Sequence, residues 1–181
     1  STAENHCTIF TISESPLDEN IIWVGTDDGN VQLTKDGGLT WDTLVATFED
    51  VPANTWVSYI EAPNSHKGTA YITFDGHRLG DRNAYLYKTT DFGSTWENLI
   101  TDDIDSHCHI IKEDLKNPDL LFLGTEFGLF ISLNRGKNWV HFTNEFPKVS
   151  VRDLVFEKHE NDLVIGTHGR GVYILDDLTP L

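Results

Sequence analysis

Methionine is absent from the 181 residues, and cysteine nearly so, with only Cys7 and Cys108. Two thiols permit one disulfide at most, so no framework of bridges can hold this fold together, and the redox compartment is not indicated. A chain that opens on Ser1 and carries no methionine is expected to be a processed protein or an excised fragment. Positive charge is also scarce. Thirteen Lys and Arg face 29 Asp and Glu, a formal net charge of -16. Such a surface repels phosphate backbones and anionic lipid, which argues against nucleic acid as a partner. No apolar run approaches the roughly 20 residues of a membrane-crossing helix, so no membrane insertion is expected. No stretch sustains helical periodicity either.

Against these absences stands a repeat. Thr34-Lys35-Asp36-Gly37-Gly38-Leu39-Thr40-Trp41 is followed by Thr89-Thr90-Asp91-Phe92-Gly93-Ser94-Thr95-Trp96, and then by Ser132-Leu133-Asn134-Arg135-Gly136-Lys137-Asn138-Trp139. The shared skeleton is Ser/Thr-x-Asp-x-Gly-x-Thr-Trp, with Asn134 and Asn138 as departures. The tryptophans recur at intervals of about 40–55 residues, the length of one four-stranded propeller blade. Short segments rich in β-branched and aromatic residues, bounded by Gly, Asp, Asn and Pro, fill each interval. Copy one reads as strands 7–13, 21–26, 30–34 and 40–45. Copy two reads as 55–61, 70–74, 84–89 and 95–99, and copy three as 107–112, 120–125, 129–132 and 138–142. A fourth unit gives 151–157, 163–167 and 172–175 but no motif. The expected fold is all-β, one propeller domain or an arc of one, with repeats at 5–50, 51–102, 103–145 and 146–181, the last incomplete.

The motif falls where the third strand turns into the fourth. Asp36 and Asp91 can accept hydrogen bonds from the amides of their own turn, and Gly38, Gly93 and Gly136 permit the reversal. Trp41, Trp96 and Trp139 are each expected to bury a ring between neighbouring sheets, with the indole N–H finding a carbonyl. Asn134 keeps the acceptor and loses the charge, which a catalytic carboxylate would not survive. The expected role is therefore structural.

These residues resemble the Asp-box, or BNR repeat, of sialidases, xyloglucanase-type hydrolases and sortilin-type propellers, and of a photosystem assembly factor. Longer phrases sharpen the likeness, among them Phe74-Asp75-Gly76-His77-Arg78, Gly166-Thr167-His168-Gly169-Arg170-Gly171 and Ile174-Leu175-Asp176-Asp177-Leu178-Thr179-Pro180-Leu181. Together they resemble the end of the sortilin-like propeller in large exported bacterial proteins labelled as glycosyl hydrolases. That resemblance implies a larger wheel and an exported location: periplasmic, outer-surface or secreted. Sortilin-type receptors carry a cysteine-rich module after the wheel, and these 181 residues contain none.

Alternation of turns places the motifs on one end of each blade and the second-to-third hairpins on the other. Ligand sites of propellers gather near the axis on the hairpin end. The polar residues there are Asp27, Asp28, Asp75, His77, Arg78, Asp81, Arg82, Glu126, His168 and Arg170; the leading candidates are Asp75, His77, Arg78 and Asp81 in the long loop 75–83, which only the second unit carries, and His168 and Arg170 in the fourth hairpin. His6-Cys7 and His107-Cys108-His109 are soft enough for zinc, but strand alternation separates Cys108 from its two neighbours, so no metal site is expected. No cofactor is expected. The preferred function is a noncatalytic binding or assembly module for protein, peptide or glycan, with self-association through open blade edges as a further expectation. The alternative is a fragment of an Asp-box glycoside hydrolase, sialidase-like or xyloglucanase-like, which needs two suitably spaced carboxylates.

Overall fold

The computed structural model describes residues 7–44, 48 and 50–181. Fifteen strands form four antiparallel sheets, taken in chain order. The first blade holds β1 (Ile9–Glu14), β2 (Ile22–Thr26), β3 (Val31–Thr34) and β4 (Asp42–Thr43). The second holds β5 (Trp56–Glu61), β6 (Ala70–Asp75), β7 (Tyr85–Thr89) and β8 (Glu97–Asn98). The third holds β9 (Cys108–Glu113), β10 (Leu121–Thr125), β11 (Gly128–Ser132) and β12 (Val140–Phe142). The fourth has three strands, β13 (Val151–Glu157), β14 (Asp162–Thr167) and β15 (Val172–Leu175). The only helical element among the described residues is a single 3₁₀ turn, His77–Leu79, in the long loop of the second blade. His6 and Val45, which the sequence places in a zinc-like phrase and at the end of an outer strand, lie outside the described residues.

Each blade pairs its strands in sequence order, and the first strands of successive blades touch: β1 with β5, β5 with β9, and β9 with β13. The first strands therefore line the hub. Three apolar clusters form the core, one in each seam between neighbouring blades. Both faces of β6 and β10 are buried because a blade covers each side, which is why those strands read as nearly continuous apolar runs.

The seams interlock in the same way at both ends of the arc. Gly25 on β2 and Gly124 on β10 occupy matching positions. A Cβ on Gly124 would stand 2.7 Å from the Val151 side chain of the next blade, and one on Gly25 would collide with Val57. Only glycine admits this approach. Polar atoms cross the seams too. Ser13 Oγ accepts the Ala62 N–H (3.0 Å), Tyr71 donates to Glu113 (2.8 Å), and Lys112 donates to Glu61 (2.7 Å).

The repeated turn has one geometry in all three copies. The Thr34, Thr89 and Ser132 hydroxyls accept the N–H of Gly38, Gly93 and Gly136 at 2.9, 3.0 and 2.8 Å. Asp36, Asp91 and Asn134 accept the N–H of Thr40, Thr95 and Asn138 at 2.9, 2.9 and 3.0 Å. The amide of Asn134 therefore does the work of a carboxylate in this turn. Hydrogen bonds from the Thr40 hydroxyl and amide, joined by the Thr34 hydroxyl, hold Asp36 down at about 2. The turn also needs two successive left-handed residues. The first of these is Gly37, Phe92 or Arg135 and the second is always glycine, with φ of 94, 80 and 85° at Gly38, Gly93 and Gly136.

The tryptophans depart from expectation in two ways. Trp139 is 4% exposed and donates its indole N–H to Leu99 O at 2.9 Å in the preceding blade. Trp96 packs on the first blade beside Trp23 and Phe48, but its indole N–H finds no partner. Trp41 is 42% exposed, contrary to its expected burial. The cause is geometric. Each motif tryptophan packs on the blade before it, and among the described residues no blade stands before the first. The outer strands β4 and β8 are also two residues each, shorter than expected, because the motif turn and the tryptophan take up the rest of the segment.

Burial outweighs the missing hydrogen bonds. Fully buried Trp23 also leaves its N–H unpartnered. An unmade buried hydrogen bond costs about 1–3 kcal/mol, whereas burying roughly 150–250 Å² of ring at about 25 cal/mol per Å² contributes roughly 4–6 kcal/mol. The same comparison separates the motif tryptophans. Trp139→Ala is predicted to cost about 3–5 kcal/mol and Trp41→Ala less than about 1 kcal/mol, measured by urea unfolding. Equal costs would show that the seams do not carry the stability.

Candidate functional site

The antiparallel order sends the hairpins β2–β3, β6–β7, β10–β11 and β14–β15 to one end of the blades and the motif turns to the other. The hub on the hairpin end is where three blades bring polar side chains together. Asp75 ends β6 and is 2% exposed. It accepts the His77 backbone N–H at 2.9 Å and lies 2.8 Å from His77 Nδ1. From the third blade, His109 places Nδ1 3.5 Å from Asp75 and Nε2 2.9 Å from Glu126, in the β10–β11 hairpin. From the fourth, Ser150 donates to Glu126 at 3.0 Å, and Arg152 reaches Glu126 at 3.1 Å and His109 Nδ1 at 3.4 Å. The His107 ring lies between those of His77 and His109, with centroids 5.8 and 5.4 Å away.

The ionisation of the cluster follows from these contacts. Burial opposes charge on Asp75, but hydrogen bonds from His109 and from the His77 amide and ring outweigh it and hold the carboxyl well below its ordinary range. Burial likewise opposes charge on Glu126, and His109, Ser150 and Arg152 again prevail, so its carboxyl is also lowered. Burial pushes the His107 imidazole down against the pull of Asp75, which favours the neutral ring. Cys108, pointing the other way into the seam, is pushed up to about 12 by burial and is an inert core thiol.

The long loop of the second blade forms the rim. Arg78 lays its guanidinium 4.1 Å from the centre of the Trp56 ring, which Phe10 meets edge-on at 4.2 Å. Asp81 is turned inward upon its own loop, accepting the Tyr85 hydroxyl at 2.6 Å and the Asn83 N–H at 3.0 Å. His168 and Arg170 are exposed in the fourth hairpin, with left-handed glycines at 169 and 171 on either side of Arg170. They stand on the same end of the blades, and the His168 backbone N–H donates to the carbonyl of Ser150 at 2.9 Å. A cavity of about 530 Å³ opens between the long loop and the third blade, lined by His77, Arg82, His107, Glu126 and Phe127 among others.

Of the residues singled out in the sequence, Asp75 and His77 belong to the cluster and Arg78 to its rim. Glu126, His107 and His109, also named in the sequence, join the cluster, and Trp56 and Arg152 complete the site. The His107-x-His109 spacing at the entry to a first strand signalled two imidazoles on one face. Nothing local signalled Trp56 or Arg152, whose cation–π and ion-pair partners, Arg78 and Glu126, are 22 and 26 residues away in the chain.

No family model and no curated protein matches this chain. Solved structures do. A structure of YCF48 bound to a D1 peptide superposes with a TM-score of 0.67 at 18% identity, over 93% of this chain and 51% of that one. A GH74 xyloglucanase from Xanthomonas campestris gives 0.71 at 11% identity, over 95% and 30%. A nidogen/laminin complex gives 0.68 at 12% identity, over 93% and 60%. The chain thus spans about half of the YCF48 structure and under a third of the xyloglucanase. The likeness is one of fold, the β-propeller, and it includes both peptide-bound and glycoside hydrolase structures.

Proposed function

We propose that this chain is a noncatalytic binding or assembly module whose hairpin-end hub face takes a protein or peptide segment, with glycan as the secondary ligand class. The observation that carries the reading is the Arg78–Trp56 stack, a cation laid on an aromatic ring at the rim of the polar cluster, where both side chains line a second, smaller cavity of about 180 Å³ with Asp27, Asp28 and Asp75. Such pairs are typical anchors of recognition surfaces. The peptide in the YCF48 structure supports the same use of a propeller. We further propose, from the motif and the longer phrases, that the chain is the end part of an Asp-box, sortilin-like propeller of an exported bacterial protein.

Hydrolysis is the less favoured reading. A glycosidase needs a carboxylic acid kept protonated beside a second carboxylate. On the hub face Asp28, Asp75 and Glu126 are all held below their ordinary range. The carboxyl that burial raises, Glu61, pairs with Lys112 at the motif end of the blade. Screening against peptide and glycan arrays is expected to return a ligand whose affinity falls by about 1–3 kcal/mol in Trp56→Ala and in Arg78→Ala. Turnover of aryl glycosides that disappears on Asp75→Ala or Asp81→Ala would refute the binding reading. Recovery of the chain solely from the cytoplasm of its source cells would refute the exported location.

We also propose that two copies of the chain join head to tail. Ile9 sits at the strand position of Val57 and Val151, the side chains that meet Gly25 and Gly124 across the seams, yet it is 56% exposed. At the other end of the arc Gly166 matches Gly25 and Gly124. The nearest atoms to a Cβ there belong to Asp153 of its own sheet. Ile12 and Trp41 flank the projection, and Val155, Val172 and Ile174 flank the hollow, all exposed. Each end is thus half of a seam that the interior forms twice. Light scattering of the isolated chain is expected to give twice the 20.4 kDa protomer mass, and Gly166→Leu is expected to return it to the protomer mass. A monomer at high micromolar concentration, or a dimer indifferent to Gly166→Leu, would overturn the proposal.

A further inference from the structure

The hub cluster holds a donor set that neither the fold nor the binding reading uses. One carboxylate oxygen of Asp75 and one ring nitrogen each of His107 and His109 lie within 4.8 Å of one another. They come from two blades, and all three residues are buried or half-buried. The chemistry of the set is distinctive. Two imidazoles and a carboxylate suit a divalent transition ion and are a poor match for calcium or magnesium, which prefer oxygen alone.

Three further observations point the same way. His107 Nδ1 is buried and has no hydrogen-bond partner, which leaves a nitrogen of this cluster uncommitted. The other oxygen of Asp75 already accepts from the His77 amide and ring, a second layer of contacts that fixes the orientation of the carboxylate. Glu126 stands 4.0 Å from His107 Nε2 and 2.9 Å from His109 Nε2, so a second negative charge lies beside the donors. We propose that Asp75, His107 and His109 bind one divalent transition-metal ion, of which zinc is the type.

The geometry requires a modest contraction. Metal–ligand distances near 2.0–2.1 Å place tetrahedral donors roughly 3.4 Å apart, so the three atoms must close by about an ångström. The donors stand near the adjoining ends of β6 and β9, and the contraction falls to their side chains. Arg152, now near His109 Nδ1, is 45% exposed in its side chain and has room to withdraw toward Glu126. Three protein ligands leave a fourth position for water or for an oxygen of a bound molecule, and the cavity lined by His77, His107 and Glu126 adjoins it. The site goes beyond the binding reading and stands or falls apart from it, since it needs no organic ligand.

The test uses the whole chain with the metal alone. Titration with zinc is expected to saturate at one ion per chain. Cobalt(II) is expected to give the visible absorption of a tetrahedral site, which a purely structural cluster would not produce. His107→Gln and Asp75→Asn are each expected to weaken zinc by roughly a hundredfold or more and to abolish the cobalt band, while His159→Gln, at an exposed turn, leaves both unchanged. Circular dichroism establishes that each variant is folded. His107, with a side chain 14% exposed against 2% for Asp75, gives the safer variant of the two. Failure to saturate below about 1 mM zinc, or a cobalt band that survives in folded His107→Gln, would overturn the site.

Discussion

The seam between adjacent blades is the contact on which everything else in this molecule depends. No sheet here can bury itself, since each is four short strands or fewer and has two faces. Stability comes from pressing one face against the next, with Val57 over Gly25 and Val151 over Gly124 setting the closest approach. The motif turns serve the same seam from outside. Leu44 and Leu99, three residues beyond a tryptophan, press on Gly93 and Gly136 of the following turn. A side chain at either glycine would meet leucine as well as face a left-handed backbone.

That contact also sets where chemistry can reside. Seams are apolar through most of their depth, and polar side chains are gathered at the two ends of the hub. At the motif end the polar groups are consumed in turns and in pairs such as Glu61 with Lys112. At the hairpin end the first strands of three blades converge, and their opening residues cannot all be apolar without exposing a greasy axis. His107, His109 and Arg152 fill this place, and Asp75 and Glu126 balance them. The cluster is both a plug for the axis and a set of donors.

An arc of seams has a consequence that a closed wheel lacks. Among the described residues its two terminal faces are built like interior ones but meet no further blade, which leaves Trp41, Ile9 and Ile174 exposed where Trp139, Val57 and Leu33 are buried. The first and third interior seams are a template for what fits there, because in each a valine projects over a glycine hollow, whereas Thr73 and Cys108 stand at the matching positions of the middle seam.

Spacing and residue type made the blades readable from the chain. Three copies of one turn, strand-forming segments between them and Gly-Thr phrases at the hairpins establish four sheets, their order and which ends share a face, because all these features are local or periodic. Asn134 shows the limit of local reading in its favour: the substitution of amide for carboxylate identified the turn as architecture, and the hydrogen bonds agree. The site was less legible. Asp75, His77 and Arg78 stood out because their loop is unlike its counterparts, whereas Trp56 and Arg152 acquire meaning only from partners distant in the chain, Arg78 and Phe10 for the one and Glu126 and His109 for the other. Burial of a given tryptophan was likewise beyond the chain alone. The three motifs are alike in sequence, but whether a ring meets a sheet or water depends on whether another blade stands before it, and that is a property of the assembled arc.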